Sequence, residues 1–195
     1  MAFDFHDGTN CFPLSHIKDD TGRLQFARLL SNLGWSPIDA ANLSSAAKDW
    51  QDEDTQISPG GAEDYTYLGL TPAYRTAGAD FASVAELRAI QGMTEEGYQA
   101  LRPFVCTSDV SREVALNVNT MTVVHAPLLG AVLGDDQFSR AEECLASRPS
   151  GGYEKASFDE CIQRDNPKRD QTDDIIVYEP KQICLLYTSP SPRDS

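Results

Sequence analysis

Ser83-Val84-Ala85-Glu86-Leu87-Arg88-Ala89-Ile90-Gln91-Gly92-Met93-Thr94-Glu95-Glu96-Gly97-Tyr98-Gln99-Ala100-Leu101-Arg102-Pro103 contains two helix starts and two helix stops in one short stretch. Ser83 with Glu86 three residues later is a capping box, in which each side chain satisfies a backbone N–H of the other's position. The short helix it opens carries Leu87 and Ile90 and is expected to end near Gly92. Thr94 can cap a second helix bearing Tyr98 and Leu101, closed by Pro103. The pattern is a helical hairpin.

A related pattern follows downstream. Asn119-Thr120 is read as the cap of an apolar helix through Val123, Val124, Leu128, Leu129, Val132 and Leu133, stopped by Gly134. Asp135 or Asp136 is then expected to cap a helix with Phe138, Ala141 and Leu145 on one face, ending before Pro149. Two helical hairpins in tandem predict two small subdomains and not one large core. Upstream, Phe26, Leu29, Leu30 and Leu33 recur at helical spacing within 24–33, a run that stops at Gly34. Ser36-Pro37 offers an N-cap and a proline at the first helical position, and Ile38, Ala41 and Ala47 carry that helix towards Trp50.

Strand signals are confined to the edges. Phe3-Asp4-Phe5 alternates like the end of a strand, and Ile175-Ile176-Val177-Tyr178 is β-branched and aromatic. The fold class expected is α+β, mainly α, with sheet fragments flanking a large helical insertion. The boundaries drawn are 1–10 for the first strand region and 11–114 for the first helical subdomain with its acidic loop. The second helical subdomain is 115–165, and 166–183 is a polar linker with a return strand. Residues 184–195 (CLLYTSPSPRDS) switch abruptly to a Ser/Pro tail similar to a translated sequencing adapter, and are set aside from fold reasoning. A chain opening and closing in strand is expected to be the middle of a longer one.

Composition narrows the partners. The 195 residues carry 16 Lys and Arg against 30 Asp and Glu, a formal charge of −14. So acidic a surface repels phosphate, which argues against nucleic acid and anionic lipid. The local charge agrees, because Arg88 and Arg102 in the hairpin face Glu86, Glu95 and Glu96. No apolar run approaches the ~20 residues of a membrane helix, so the chain is expected to be soluble.

The residues that bear chemistry are mainly acidic. Asp49, Asp52, Glu53, Asp54, Glu63 and Asp64 flank a loop with Pro59-Gly60-Gly61. Carboxylates crowded in one loop repel each other unless a cation neutralises them, and hard oxygen donors favour Ca²⁺. Asp52, Asp54 and Glu63 fall at positions 1, 3 and 12 of an EF-hand count. Ile57, however, stands where that loop requires glycine, so the EF-hand itself is excluded. A calcium loop of another kind and a merely solvated acidic loop both remain open.

Cys11, Cys106, Cys144 and Cys161 contain no Cys-x-x-Cys pair, which weakens zinc and thioredoxin-like readings. Pairing as Cys11–Cys106 and Cys144–Cys161 would staple small helical units in an oxidising compartment. It is one of three connectivities, among which the sequence does not choose, and buried free thiols are the alternative. His6, His16 and His125 lack ligand spacing, and His125 is read as a packed or capping residue. There is no Gly-x-Ser-x-Gly elbow, phosphate loop or dinucleotide fingerprint, so the reading is non-enzymatic.

Several segments in order resemble the type II secretion minor pseudopilin K (GspK) family. They are Gly8-Thr9-Asn10-Cys11-Phe12, Asp49-Trp50-x-Asp52-x-Asp54, Gly61-Ala62-Glu63-Asp64-x-x-Tyr67, Tyr74-Arg75, Glu86-Leu87-Arg88 leading to Gly92, and Leu116-Asn117-Val118-Asn119-Thr120. The chain departs from the family pattern at Pro13 and Ser15, usually asparagines, and at Gly78. The resemblance implies a pseudopilin whose small sheet carries two SAM-like helical subdomains. It further implies a hydrophobic N-terminal helix before Met1, further strands beyond Ile183, and a place on the periplasmic face of the bacterial inner membrane. The implied position is the pseudopilus tip, in complex with minor pseudopilins I and J and acting in protein secretion across the outer membrane. Calcium, held by Asp52, Asp54, Glu63 and Asp64, is implied too. An extracytoplasmic helix-hairpin-helix module recognising secreted protein cargo is the alternative.

Overall fold

A computed structural model of the chain describes residues 10–107, 115–163 and 175–178. The expected strand at Phe3-Asp4-Phe5, the polar stretch 164–174 and the adapter-like tail lie outside these residues.

Among the described residues seven α-helices follow in order: α1 (Asp20–Asn32), α2 (Pro37–Asp49), α3 (Asp64–Leu68), α4 (Glu95–Leu101), α5 (Ala126–Leu133), α6 (Phe138–Ala146) and α7 (Lys155–Gln163). Four two-residue strands accompany them: β1 (Phe12–Pro13), β2 (Val105–Cys106), β3 (Leu116–Asn117) and β4 (Ile176–Val177). β1 pairs in parallel with β2, Phe12 opposite Val105, and β3 in parallel with β4, Leu116 opposite Ile176. The described chain is mainly helical with short strands, as the pattern predicted.

α5 sets the packing. Leu128, Leu129, Ala131, Val132 and Leu133 are all fully buried, so the helix is apolar around its whole girth and has no face for water. α1 lies on one side of it and α6 on another, while α1 also packs against α2. The α5–α6 approach requires glycine at 130, where a Cβ would meet the Phe138 backbone at 2.7 Å. The two helical regions thus pack directly on each other through α1 and α5. Phe26, Leu29 and Leu30 of α1 join α5 in one continuous buried cluster.

The local signals hold at several helix ends. The Ser36 Oγ accepts from the Asp39 N–H at 3.1 Å, with Pro37 at the first helical position. Thr94 caps α4 through the Gly97 N–H at 3.0 Å. Gly34 takes φ +106° to end the α1 corner. α1 starts earlier than its apolar run, because the Asp19 side chain caps the Gly22 N–H at 2.7 Å. The Ser83–Glu86 capping box is present, but it opens a 3-10 turn, Val84–Ala89, and no α-helix.

Two expected caps are corrected. Asn119-Thr120 does not start the α5 region. Instead Thr122 and His125 close a box over the 3-10 turn Val123–His125, so His125 acts as a cap. Asn119 is drawn away by tertiary contacts, donating to the Tyr153 carbonyl at 2.9 Å and accepting from its N–H at 2.6 Å. Neither Asp135 nor Asp136 caps α6, whose N-cap is Gln137. Asp135 pairs with Arg28 of α1 at 2.6 Å, and Asp136 takes φ +60° in the turn.

Both disulfides form, Cys11–Cys106 and Cys144–Cys161, with Cα atoms 5.8 and 6.0 Å apart. The first extends the β1–β2 pairing and the second ties α6 to α7. Among the described residues no helix is long and apolar enough to cross a membrane.

Candidate metal centre

The acidic loop hangs between α2 and α3, and its first carboxylate is inside the protein. α2 buries Leu43, Ala46 and Ala47, its C-cap Trp50 is buried too, and Asp49 between them is fully buried. Its Oδ2 accepts from the Ser58 N–H at 3.1 Å and so holds the return of the loop. The Ser58 carbonyl in turn accepts from the Gly61 N–H at 2.8 Å, closing a tight turn. Asp54 accepts from the Gln56 N–H at 2.7 Å, an Asx turn that curls the exposed limb back.

These turns bring Asp52, Asp54 and Glu63 together, one oxygen of each lying within 4.8 Å of the others. Glu63 is buried, Asp52 half-buried and Asp54 exposed, so the cluster opens from the interior to the surface. Three buried oxygens beside it have no hydrogen-bond partner: Asp49 Oδ1, Asp52 Oδ1 and Glu63 Oε1. Among the described residues no Lys, Arg or His pairs with any of these carboxylates.

Burial, and then the neighbouring Asp54 and Asp49 charges, push the Asp52 carboxyl above its ordinary range. Burial also raises Glu63, reinforced by Asp52, Asp49 and Asp64 and opposed by the Asp64 N–H at 3.3 Å. An uncompensated buried carboxylate is costly, and a bound cation would supply the missing partner. Hard carboxylate oxygens fit a divalent ion with oxygen preference, and backbone or water oxygens can complete its shell. The donor set present fits calcium.

Asp64 is turned away. Its Oδ1 accepts from the Thr76 N–H at 2.9 Å and the Thr76 hydroxyl at 3.0 Å, and its Oδ2 pairs with Arg75. The Thr76 N–H chiefly holds this carboxyl below its ordinary range, with help from the hydroxyl and from Arg75. Of the four residues expected to hold metal, the structure brings three together and uses Asp64 to brace the start of α3. Asp49, named in the acidic run but not among those four, is the buried member next to the cluster. Its position one residue before Trp50, at the end of the apolar α2 face, is the signal that places it inside.

An aromatic trio connects the loop to the hairpin. Trp50 meets Tyr67 edge-on at 5.4 Å, and Tyr67 stacks on Tyr74 at 5.2 Å. The Trp50 Nε1–H points at Glu86 Oε2 at 3.4 Å, and the Tyr74 hydroxyl donates to the Ala89 carbonyl at 2.7 Å. Tyr67 accepts from the Gln91 N–H at 3.3 Å, and burial pushes its phenol up to about 12. Packed rings therefore link the end of α2 to 83–91.

Comparison with known proteins gives this architecture its context. Two family models, both described as type II secretion system (T2SS), protein K, match residues 10–109 and 116–159. Type II secretion system protein K of Klebsiella pneumoniae is 36% identical over 157 residues, covering 75% of this chain and 48% of that protein. The protein K of Pectobacterium carotovorum subsp. carotovorum is 38% identical over 129 residues, covering 66% of this chain and 39% of that protein. A solved structure, the GspK-GspI-GspJ complex from the enterotoxigenic Escherichia coli type 2 secretion system, superposes with TM-score 0.67 at 27% identity. That superposition covers 80% of this chain and 55% of that one. The helical architecture is thus that of a bacterial secretion-system protein. The chain belongs to the type II secretion system protein K family. It spans less than half the length of these two curated relatives.

Proposed function

We propose that the chain is the helical head of a minor pseudopilin that caps the type II secretion pseudopilus. The observation that carries this reading is the ordered match of both family models along the two helical regions, residues 10–109 and 116–159. Those bounds also support reading 11–114 and 115–165 as two SAM-like units that share a core. The similar solved chain is part of a complex with GspI and GspJ, which supports minor pseudopilins I and J as partners here.

The role is mechanical. A bulky helical head at the end of a filament leaves no room for another subunit above it, so assembly starts beneath it and polarity is fixed. The two disulfides suit the oxidising periplasm, and an N-terminal helix supplied by the full-length protein would anchor it at the inner membrane. Calcium at Asp52, Asp54 and Glu63 would offset two of the three carboxylate charges and brace the loop against Trp50 and Tyr67. Family membership favours this reading over a free-standing cargo-binding module.

The test is assembly. Intact-length protein mixed with pseudopilins I and J should sediment as one heteromeric species. Separate sedimentation of all three at micromolar concentration would overturn the proposal.

A further inference from the structure

Beside α2, the α1–α2 corner, Gly60 of the acidic loop and the 91–100 segment enclose an open groove of about 710 Å³. Its walls include Trp35, Asp39, Gly60, Gln91, Thr94 and Glu96. Gly34 turns the chain at φ +106°, which lays the Trp35 indole against α4. The fit is close enough that a Cβ on Gly97 would meet the ring at 2.5 Å. The indole remains half-buried and forms part of the groove surface. Ile38, next to Asp39, is 72% exposed at the first turn of α2.

The groove charge is one-sided. Asp39 and Glu96 are its ionisable lining groups, and neither has an ion-pair partner among the described residues. Each lies in the first turn of its helix, where the dipole contributes roughly half a positive charge, so each full carboxylate charge still dominates. Ser36 and Thr94 each already accept from one first-turn N–H, that of Asp39 and that of Gly97. An aromatic face, two carboxylates and an exposed isoleucine suit a long cationic side chain, whose aliphatic stem packs while its head is paired.

We propose that this groove docks a lysine- or arginine-bearing segment of a partner protein, flanked by an apolar residue that covers Ile38. The proposal does not rest on the tip assignment.

The test uses the 195-residue chain and a synthetic probe, acetyl-Gly-Leu-Lys-Gly-Lys-Leu-Gly-amide, with a second peptide in which norleucine replaces both lysines. Binding is read by tryptophan emission, with Trp35→Phe as the control for the source of the signal. The lysine peptide should give a saturable change that Trp35→Phe abolishes, and should bind about tenfold more tightly than the norleucine peptide. The neutral double variant Asp39→Asn with Glu96→Gln should bring the two peptides to equal affinity while its thermal melt stays that of the parent. Equal affinities in the parent chain, which would mark a purely apolar groove, overturn the proposal. So does a lysine preference that survives in the double variant, an emission change that persists in Trp35→Phe, or no saturable change at all.

Discussion

Gly61 lies against the buried carboxylate of Asp49 so closely that a Cβ at 61 would run into Oδ2, the atom that accepts from the Ser58 N–H. Gly61 has no left-handed backbone requirement, so space alone demands glycine there. Gly61→Ala should cost about 2 kcal/mol of stability by overpacking. Gly92→Ala meets no atom within 4 Å, but its φ of +88° makes it costly through backbone strain alone. Urea unfolding of the Gly61 variant with and without calcium separates the roles. A loss confined to the calcium-free protein would argue against the steric account.

Glu63→Gln tests whether the loop bears repulsion that a cation relieves. Glu63 is buried with Oε1 lacking a donor, so removing its charge relieves burial cost when metal is absent. The metal-free variant should melt at or above the parent temperature, while its calcium affinity falls about tenfold with the loss of one charged ligand. A metal-free variant melting well below the parent would show Glu63 to be a structural anchor instead.

Asn119→Ala removes both hydrogen bonds to the Tyr153 backbone, and a contact to the Tyr178 carbonyl at 3.3 Å. Leaving that buried backbone unsatisfied should cost about 3 kcal/mol. A loss below 1 kcal/mol in denaturant unfolding is the contrary result.

The two disulfides close loops of very different length, with sequence separations of 95 and 17. On the chain-entropy account, Cys11→Ser with Cys106→Ser should cost about 1.5 kcal/mol more than Cys144→Ser with Cys161→Ser. Equilibrium unfolding of the two double variants decides it, and the reverse order would contradict the account.

Glu95 is held by Arg88 through two hydrogen bonds of 2.8 and 3.0 Å, and by Gln99 at 2.7 Å. These bonds, Arg88's first, lower its carboxyl to about 2. Because the folded value lies below the unfolded one, the contribution is complete above the unfolded value and is lost as pH falls through about 2. In Arg88→Ala, the carboxylate resonance in a ¹³C titration should move up towards the ordinary glutamate range. An unmoved midpoint would show that Arg88 does not set it.

What could be read from the chain was local hydrogen-bond chemistry. Ser36-Pro37, Thr94 and Gly34 each act within a few residues, so their meaning is complete in the sequence, whereas the Ser83–Glu86 box forms as read but opens a 3-10 turn. The errors come from residues with a better partner far away. Asn119 turns to Tyr153 and Asp135 to Arg28, and neither competing contact leaves a mark near the residue itself. Asp64 shows the same limit at the site, since acidic composition cannot say which carboxylate meets Arg75 and Thr76 and which three face each other. The pairing of the cysteines, open in the sequence, needed the β1–β2 and α6–α7 contacts.

The mechanical reading turns on whether calcium braces the head across Asp52, Asp54 and Glu63, and a calorimetric melt of metal-stripped, intact-length protein tests this most directly. Calcium at a hundred times its dissociation constant should raise the melting temperature by about 5–10 °C, reversibly with chelator. The rise should vanish in Asp52→Asn with Glu63→Gln. An unchanged melting temperature in the parent protein, or an equal rise in the double variant, would contradict the account.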